Sequence, residues 1–284
     1  MAKLPVNVSK AGKVWREVST LANRSAGILL GGDPGLVAEA QLRFAGDGGP
    51  ALSTLPDWQG GLYRAITHSG DILVVFVRAE REAKVRSVIH AGRVQGRVVL
   101  AVDEGAQATG SVARLSTGVR RLSFRDTSLG WLRLLACCAD LAGDDLIALG
   151  RRYPGLRPLA ARRVVNHTAA QNALIGLLVI LPGADMPAMT LNQIRMILSL
   201  GGLYGEKMDV DRAIEVVGVV AVGLGFRGVA RRLIGLVPGF GWLFKSLIAY
   251  TSTSAMGSAA IQYFEHGSPV SISRLKALAD RFKR

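Results

Sequence analysis

The stretch Gly27-Ile-Leu-Leu-Gly-Gly-Asp-Pro-Gly-Leu-Val-Ala-Glu-Ala40 decides how the first half of the chain is interpreted. Its apolar beginning predicts a short strand, and the glycines and the proline that follow predict a tight turn. From about Leu36 onward the residues predict a helix. Strand, glycine-rich turn and helix, in this order, form the arrangement in which many α/β proteins hold a phosphate at a helix N-terminus.

The turn lacks the side chains that phosphate chemistry requires. A working P-loop needs a Lys on the β- and γ-phosphates and a Ser or Thr hydroxyl on magnesium. Counted from Gly31 or from Gly32, the Gly-Lys-Ser positions hold Leu36-Val37-Ala38 or Val37-Ala38-Glu39. Neither register offers a Lys or a hydroxyl, and Asp33 opposes even weak anion binding by the helix-terminus amides. We interpret this turn as a vestigial phosphate loop that holds no cofactor, formed by Gly31, Gly32, Asp33 and Gly35.

Buried strands and helices alternate over the rest of the first half. Continuous β-branched runs predict strands at Asp71–Val77 and Arg97–Val102, and a third is indicated at Val119–Phe124. Helices are predicted at Glu80–Val94 and Leu129–Leu149, and the segment 45–70 is predicted to be a loop with at most one short strand. This alternation predicts a parallel sheet covered on both faces.

The positions that would read a nucleotide base are also changed. The strand around Val98–Val102 runs into Asp103-Glu104-Gly105-Ala106. A guanine-binding motif of the Asn-Lys-x-Asp type would need a Lys and a carboxylate where Glu104 and Ala106 stand. The sequence therefore predicts no catalytic residue and no metal site here. The alternative is a divergent GTP-binding protein that manages without the usual Lys.

Charge and hydropathy separate the two halves of the chain. Hydrophobic residues make up 49%, the mean hydropathy is +0.29 and the formal net charge is +14. Residues 151–284 hold 17 Lys or Arg against 7 Asp or Glu, a net of +10. A basic excess beside apolar helices indicates anionic membrane lipids as a partner. Aromatic residues, at 6%, are too few for the stacking that nucleic-acid binding uses.

We divide the chain into four segments. Residues 1–26 are predicted to form an N-terminal amphipathic helix, in which Val14, Val18 and Leu21 share a face beside Trp15. Residues 27–150 form the α/β domain, and a cluster of arginines and prolines after Gly150 marks its end. Residues 151–267 form an apolar helical domain and residues 268–284 a basic tail. We expect no signal peptide, because the first residues contain no apolar run.

The apolar half permits two interpretations. Helical patterns cover residues 164–184, 189–204, 214–226 and 233–263. A membrane span needs about 20 predominantly apolar residues, and the first pattern reaches that length only by including His167, Thr168, Gln171 and Asn172. The helices are therefore either hairpins inserted in the membrane or a very apolar bundle that lies on the membrane or on a partner.

A few polar residues in the apolar half are candidates for a structural or functional role. Asp185 lies between Pro182 and Pro187, where it either caps the next helix or is an ionisable group at membrane depth. Arg195 is a candidate partner for Asp185, and Lys245 is the third candidate. Elsewhere, the adjacent Cys137 and Cys138 fit core packing better than a redox pair.

An ordered series of small matches resembles a known bacterial domain. The series includes Leu181-Pro-Gly-Ala-Asp-Met-Pro187, Gln193-Ile-Arg-Met196, Pro238-Gly239 and Thr253-Ser-Ala-Met-Gly257. It resembles the domain of unknown function found behind Era-like GTPase domains and in YcjF-type inner-membrane proteins. The first half, in turn, looks like the GTPase that accompanies this domain, although its nucleotide-contacting motifs are changed.

The resemblance implies an architecture and a location. The expected fold is a degenerate P-loop-GTPase-like α/β domain followed by an all-α apolar domain. The expected location is the bacterial inner membrane, with most of the chain on the cytoplasmic side. The leading hypothesis is a non-catalytic adaptor or regulator with an unknown protein partner, and it leaves homo-oligomer formation open. A divergent GTPase and a small channel or transporter component are the alternatives.

Overall fold

The computed structural model describes residues 8–55, 70–91, 96–116, 118–178, 186–206, 209 and 241–266. The chain divides into two compact units. One unit is Asn23–Ala160, and the other combines Met1–Ala22 with Ala161–Arg284. We call them the α/β unit and the helical unit.

The α/β unit is built on a six-stranded sheet with the strand order β2-β1-β3-β4-β6-β5. The strands are β1 (Ile28–Gly32), β2 (Ser53–Thr54), β3 (Ile72–Arg78), β4 (Arg97–Asp103), β5 (Val112–Ser116) and β6 (Val119–Phe124). Each neighbouring pair is parallel except β5 and β6, which are antiparallel. The sheet is therefore mostly parallel, as the continuous apolar strands predict.

Helices cover both faces of this sheet. The helices of the unit are α2 (Pro34–Ala45), α3 (Glu82–Ala91), α4 (Ser128–Ala142) and α5 (Leu146–Arg152). On one face Val85 and Ile89 of α3 pack on buried valines and leucines of β3 and β4. On the other face Trp131 of α4 makes a tilted ring contact with Phe76 and an edge contact with Phe124, with ring centroids 5.6 and 5.1 Å away.

The sheet departs from the predicted parallel arrangement at one edge. Strand β5 forms a hairpin with β6 through Gly118, whose φ of +83° favours glycine. A Cβ atom at Gly118 would lie 2.5 Å from the carbonyl oxygen of Gly96, so a side chain is also excluded by space. The alternation that marks a half-buried strand is absent from β5 because its first residues are exposed on both sides.

The predicted helix Leu129–Leu149 is interrupted. Helix α4 ends at Ala142, a 3-10 turn covers Gly143–Asp145, and α5 follows. The turn buries the carboxylate of Asp145, which lies 2.8 Å from Nη2 of Arg97 and 3.3 Å from Nη1 of Arg24. Gly143, with a φ of +54°, ends α4 in the left-handed region that favours glycine, and the turn that follows places Asp145 against these two arginines.

The helical unit contains four described helices. They are α1 (Val8–Ala22), α6 (Arg157–Leu178), α7 (Met186–Leu203) and α8 (Gly241–His266). Helix α1 packs against α7, and α7 also contacts α8. The helix predicted at residues 214–226 lies outside the described residues. Among the residues that the structure does describe, no helix has both the length and the hydropathy required to cross a membrane.

Candidate functional site: the carboxyl edge of the sheet

The carboxyl edge of the parallel strands is the place to look for a ligand in the α/β unit. Open parallel sheets bind ligands in the crevice outside the carboxyl ends of their strands. Strands β1, β3, β4 and β6 all end at this edge, and the two turns in which the sequence lacks nucleotide-binding residues follow β1 and β4. The contacts of those turns decide whether the edge can accept a nucleotide.

The turn after β1 is shorter than a phosphate loop. Gly31 and Gly32 still belong to the strand, where they pair with Val75 and Phe76 of β3. Asp33 alone links the strand to α2, which begins at Pro34 rather than near Leu36 as the sequence predicted. A single linking residue provides no loop of backbone amides that could wrap around a phosphate.

The amides at the start of α2 are bonded within the chain. Oδ1 of Asp33 accepts the backbone N–H of Gly35 at 3.0 Å and that of Leu36 at 3.3 Å. The N–H of Val37 donates to the carbonyl oxygen of Asp33 at 2.9 Å. Pro34 has no N–H to offer. Asp33 is thus an N-cap whose carboxylate sits where a bound anion would otherwise accept these hydrogen bonds.

Packing explains why a glycine occupies position 32. Its φ is +108°, and a Cβ atom there would lie 1.9 Å from the carbonyl oxygen of Phe76. The same carbonyl accepts the N–H of Asp33 at 3.1 Å. Gly32 is therefore required by the close approach of β1 to β3 and needs no ligand to explain it.

The turn after β4 is closed by an ion-pair cluster. Arg121 of β6 donates through Nε and Nη2 to both carboxylate oxygens of Glu82, at 2.7 and 2.8 Å. Its Nη2 also lies 2.5 Å from Oε1 of Glu104. Ser123 donates its hydroxyl to the other oxygen of Glu104 and accepts the N–H of Thr109 at 2.9 Å. We call Glu82, Glu104, Arg121 and Ser123 the edge cluster.

Hydrogen bonds within the edge cluster favour the charged forms of Glu104 and Arg121. The hydrogen bonds from Ser123 and Arg121 keep the pKa of Glu104 below its ordinary value of 4.5. The two carboxylates raise the pKa of Arg121. A carboxylate with a lowered pKa and filled hydrogen-bond positions is a poor general base. The cluster therefore joins the start of α3 to β4 and β6, and its groups are not poised for proton transfer.

The polar candidates of the apolar half are placed as follows. Arg195 lies on α7, and its Nη2 is 2.8 Å from Oε2 of Glu17 on α1. Both side chains of this pair are about half exposed, so the pair is a surface contact between two helices. Asp185, the partner suggested by the sequence, lies outside the described residues. Lys245 is on α8, and its side chain is not among those described.

Sequence reasoning missed a buried amide in the helical unit. Asn172 of α6 is only 1% exposed. Its Nδ2 donates to Oγ1 of Thr253 on α8 at 3.0 Å and to the carbonyl oxygen of Met189 on α7 at 3.4 Å. Its Oδ1 accepts Nδ2 of Asn192 at 3.0 Å. The signal was present, because Asn172 is one of the polar residues that interrupt an otherwise apolar run.

The two cysteines are core residues of α4. Both are free and buried. Burial, together with the nearby carboxylate of Asp140, raises the pKa of Cys137 to about 11, and burial also raises the pKa of Cys138. Thiols with raised pKa values are weak nucleophiles at neutral pH. Over the described parts of the chain, His, Cys, Asp and Glu form no group of three or more that could hold a metal ion.

The second half of the chain is similar to a known family. Residues 151–283 match the model of the family described as Domain of unknown function (DUF697). The match confirms the resemblance seen in the sequence of that region.

One curated relative extends the comparison. Magnetosome membrane protein 22 of Magnetospirillum gryphiswaldense is 31% identical over 123 residues. The match covers 40% of this chain and 62% of the relative, so the chain spans less than two thirds of the relative's length. No solved structure matches the chain.

Proposed function

We propose that this protein is a non-catalytic, membrane-associated adaptor or regulator. Its α/β unit keeps the strand–turn–helix order of a P-loop GTPase and has lost the nucleotide chemistry. The single observation that carries the proposal is the N-cap of α2. The carboxylate of Asp33 takes the hydrogen bonds that a phosphate would need.

Two costs oppose nucleotide binding at this turn. A phosphate would have to displace the Asp33 carboxylate from the amides of Gly35 and Leu36. It would then lie beside that carboxylate, and two negative charges at such a distance repel each other. No Lys in the turn offsets the repulsion, since Leu36, Val37, Ala38 and Glu39 occupy the available positions. A divergent GTPase would need an anion contact that this turn does not supply.

The edge cluster supports the same proposal. A base bound after β4 would compete with Arg121 for the carboxylate of Glu104. Removing one partner from a part-buried charged pair leaves the other charge without a counter-charge, which costs free energy. The same edge is therefore better suited to remain closed and to present a fixed surface to a protein partner.

The membrane part of the proposal comes from the helical unit and its relative. The relative that matches this chain is named a membrane protein. We infer that this chain associates with the bacterial inner membrane, with its α/β unit on the cytoplasmic side. The basic excess of residues 151–284 is suited to anionic lipids. Neither a nucleic acid nor a cofactor is needed for this role.

Cell fractionation combined with a turnover assay tests this function. We expect the full chain to remain with the membrane fraction through a wash at high salt, because salt screens charge and leaves apolar contacts intact. We also expect the purified chain to hydrolyse GTP and ATP no faster than a variant carrying Asp33→Ala and Glu39→Ala. Release of most of the protein by salt contradicts attachment to the membrane by apolar contacts, and turnover above the variant contradicts the non-catalytic role.

A further inference from the structure

One buried layer of hydrogen bonds divides the helical unit into two ends. Asn172 of α6 contacts Met189 of α7 and Thr253 of α8, so these three residues lie at one level. We use this Asn172 layer as a reference for the positions of other residues along the three helices.

Contacts on one side of the layer fix the helix directions. Val165, which precedes Asn172 on α6, packs against Gly257, which follows Thr253 on α8. Tyr204, just past the end of α7, stacks on Phe264 of α8 with centroids 5.7 Å apart. Helices α7 and α8 therefore run in the same direction, and α6 runs opposite to them. The end of α6, the start of α7 and the first half of α8 lie together on the other side.

That other side carries the exposed apolar side chains of these helices. Six large hydrophobic residues are between 37% and 67% exposed there. They are Leu174, Leu177, Leu178, Met186, Leu247 and Tyr250. We call this set the apolar end. In the described residues of α6, α7 and α8, every exposed large hydrophobic side chain belongs to it.

The apolar end is also poor in charge. Residues 173–178 and 186–188 contain no Asp, Glu, Lys or Arg, and residues 241–252 contain only Lys245. Protein-binding surfaces are enriched in Arg, Met and aromatic residues, and leucines rarely dominate their binding energy. Four of the six residues here are leucines, with one tyrosine and one methionine. This composition fits lipid tails better than it fits a protein partner.

We propose that the apolar end enters the interfacial region of a lipid bilayer and is the part of the protein that holds it on the membrane. This inference rests on the proposed membrane role and specifies which residues perform it. Leu174, Leu177 and Leu178 pass into the acyl region, and Tyr250 lies at the headgroup level, where aromatic rings are favoured.

Vesicle flotation with paired variants tests the inference. The full chain is mixed with phosphatidylcholine vesicles, with or without one quarter phosphatidylglycerol, at high salt so that apolar contacts dominate. The test variant carries Leu174→Asp and Leu178→Asp. The matched control is Leu42→Asp, because Leu42 is 71% exposed on α2 of the α/β unit. Since all three leucines are exposed, these changes leave both units folded, which thermal unfolding verifies.

The expected result is selective loss of binding. We expect Leu174→Asp with Leu178→Asp to weaken partitioning at least about tenfold, because Asp in place of Leu is strongly disfavoured in the acyl region. The Leu42→Asp control should bind as the unchanged chain does. If the unchanged chain floats with neither vesicle, the membrane role itself fails. If it floats and the test variant floats equally well, the membrane role stands, but the apolar end is not the part that binds the membrane.

A fluorescence measurement locates the contact independently. An environment-sensitive label is attached at Leu178→Cys or at Leu42→Cys, with the buried Cys137 and Cys138 both replaced by Ala. Vesicles should shift the emission of the label at 178 to shorter wavelength and leave the label at 42 unchanged. A shift at 42 alone would contradict the inference.

Discussion

Oδ1 of Asp33 accepts the backbone N–H of Gly35 at 3.0 Å, so the first turn of α2 is capped by a carboxylate of the chain itself. Phosphate-binding helices leave this position to the ligand, whose negative charge complements the helix N-terminus. Here Asp33 supplies both the charge and the acceptor. One residue thus stabilises the helix and occupies the position of the anion.

Replacing this cap should destabilise the α/β unit. We expect Asp33→Ala to lower the free energy of unfolding by about 1 kcal/mol, as loss of an N-cap usually does. Asp33→Ser should restore most of the loss, because a hydroxyl also caps. Urea unfolding followed by circular dichroism measures both. Equal stability of Asp33→Ala and the unchanged chain would show that the cap contributes nothing.

The edge cluster predicts a pH dependence. Because the folded-state pKa of Glu104 is below 4.5, its contribution to stability is present above the unfolded-state pKa and is lost as pH falls through the folded-state value. Glu104→Gln should therefore lower the free energy of unfolding by about 1 kcal/mol at pH 7. The difference between the two proteins should shrink below pH 4.5. A difference that stays constant down to pH 2 would contradict this assignment.

The buried amide of the helical unit should matter more than its exposed neighbour. Removing the Asn172 side chain removes its hydrogen bonds to Thr253 and to the carbonyl of Met189, and the one it accepts from Asn192. We expect Asn172→Ala to cost about 1–3 kcal/mol in the free energy of unfolding. Gln171→Ala is the control, because Gln171 is exposed on the same helix, and it should change stability little. Similar losses of stability for both variants would show that the hydrogen bonds of Asn172 do not stabilise the helical unit.

The contact between α6 and α8 predicts a coupled pair. A Cβ atom at Gly257 would lie 2.4 Å from Cγ2 and 2.6 Å from Cγ1 of Val165. Overpacking of this kind should make Gly257→Ala lose about 1–3 kcal/mol. Val165→Ala removes both methyl groups, so the double variant should lose less than the sum of the single losses. Strict additivity in thermal unfolding would show that the two helices do not meet there.

The local sequence predicts the elements that bury continuous apolar runs. Strands β3 and β4 fall within one residue of their predicted bounds, since every interior side chain of these runs is buried. Strand β5 was missed because an exposed edge strand with Arg114 at its centre gives no apolar pattern.

Ion pairs between residues that lie far apart in the sequence could not be predicted from local sequence patterns. Arg121 and Glu82 are separated by 39 residues, and Glu17 and Arg195 by 178. Charges at such separations meet only once the sheet order and the helix packing are fixed. Neither follows from the spacing of residues along one element, so the edge cluster and the contact of α1 with α7 required the structure.

We infer that the chain's own side chains close the carboxyl edge of the sheet to a nucleotide. Calorimetric titration of the full chain with GTP and magnesium tests it most directly. We predict no binding heat at nucleotide concentrations up to the millimolar range, because the amides of α2 are bonded to Asp33. A dissociation constant for GTP in the micromolar range would contradict the account.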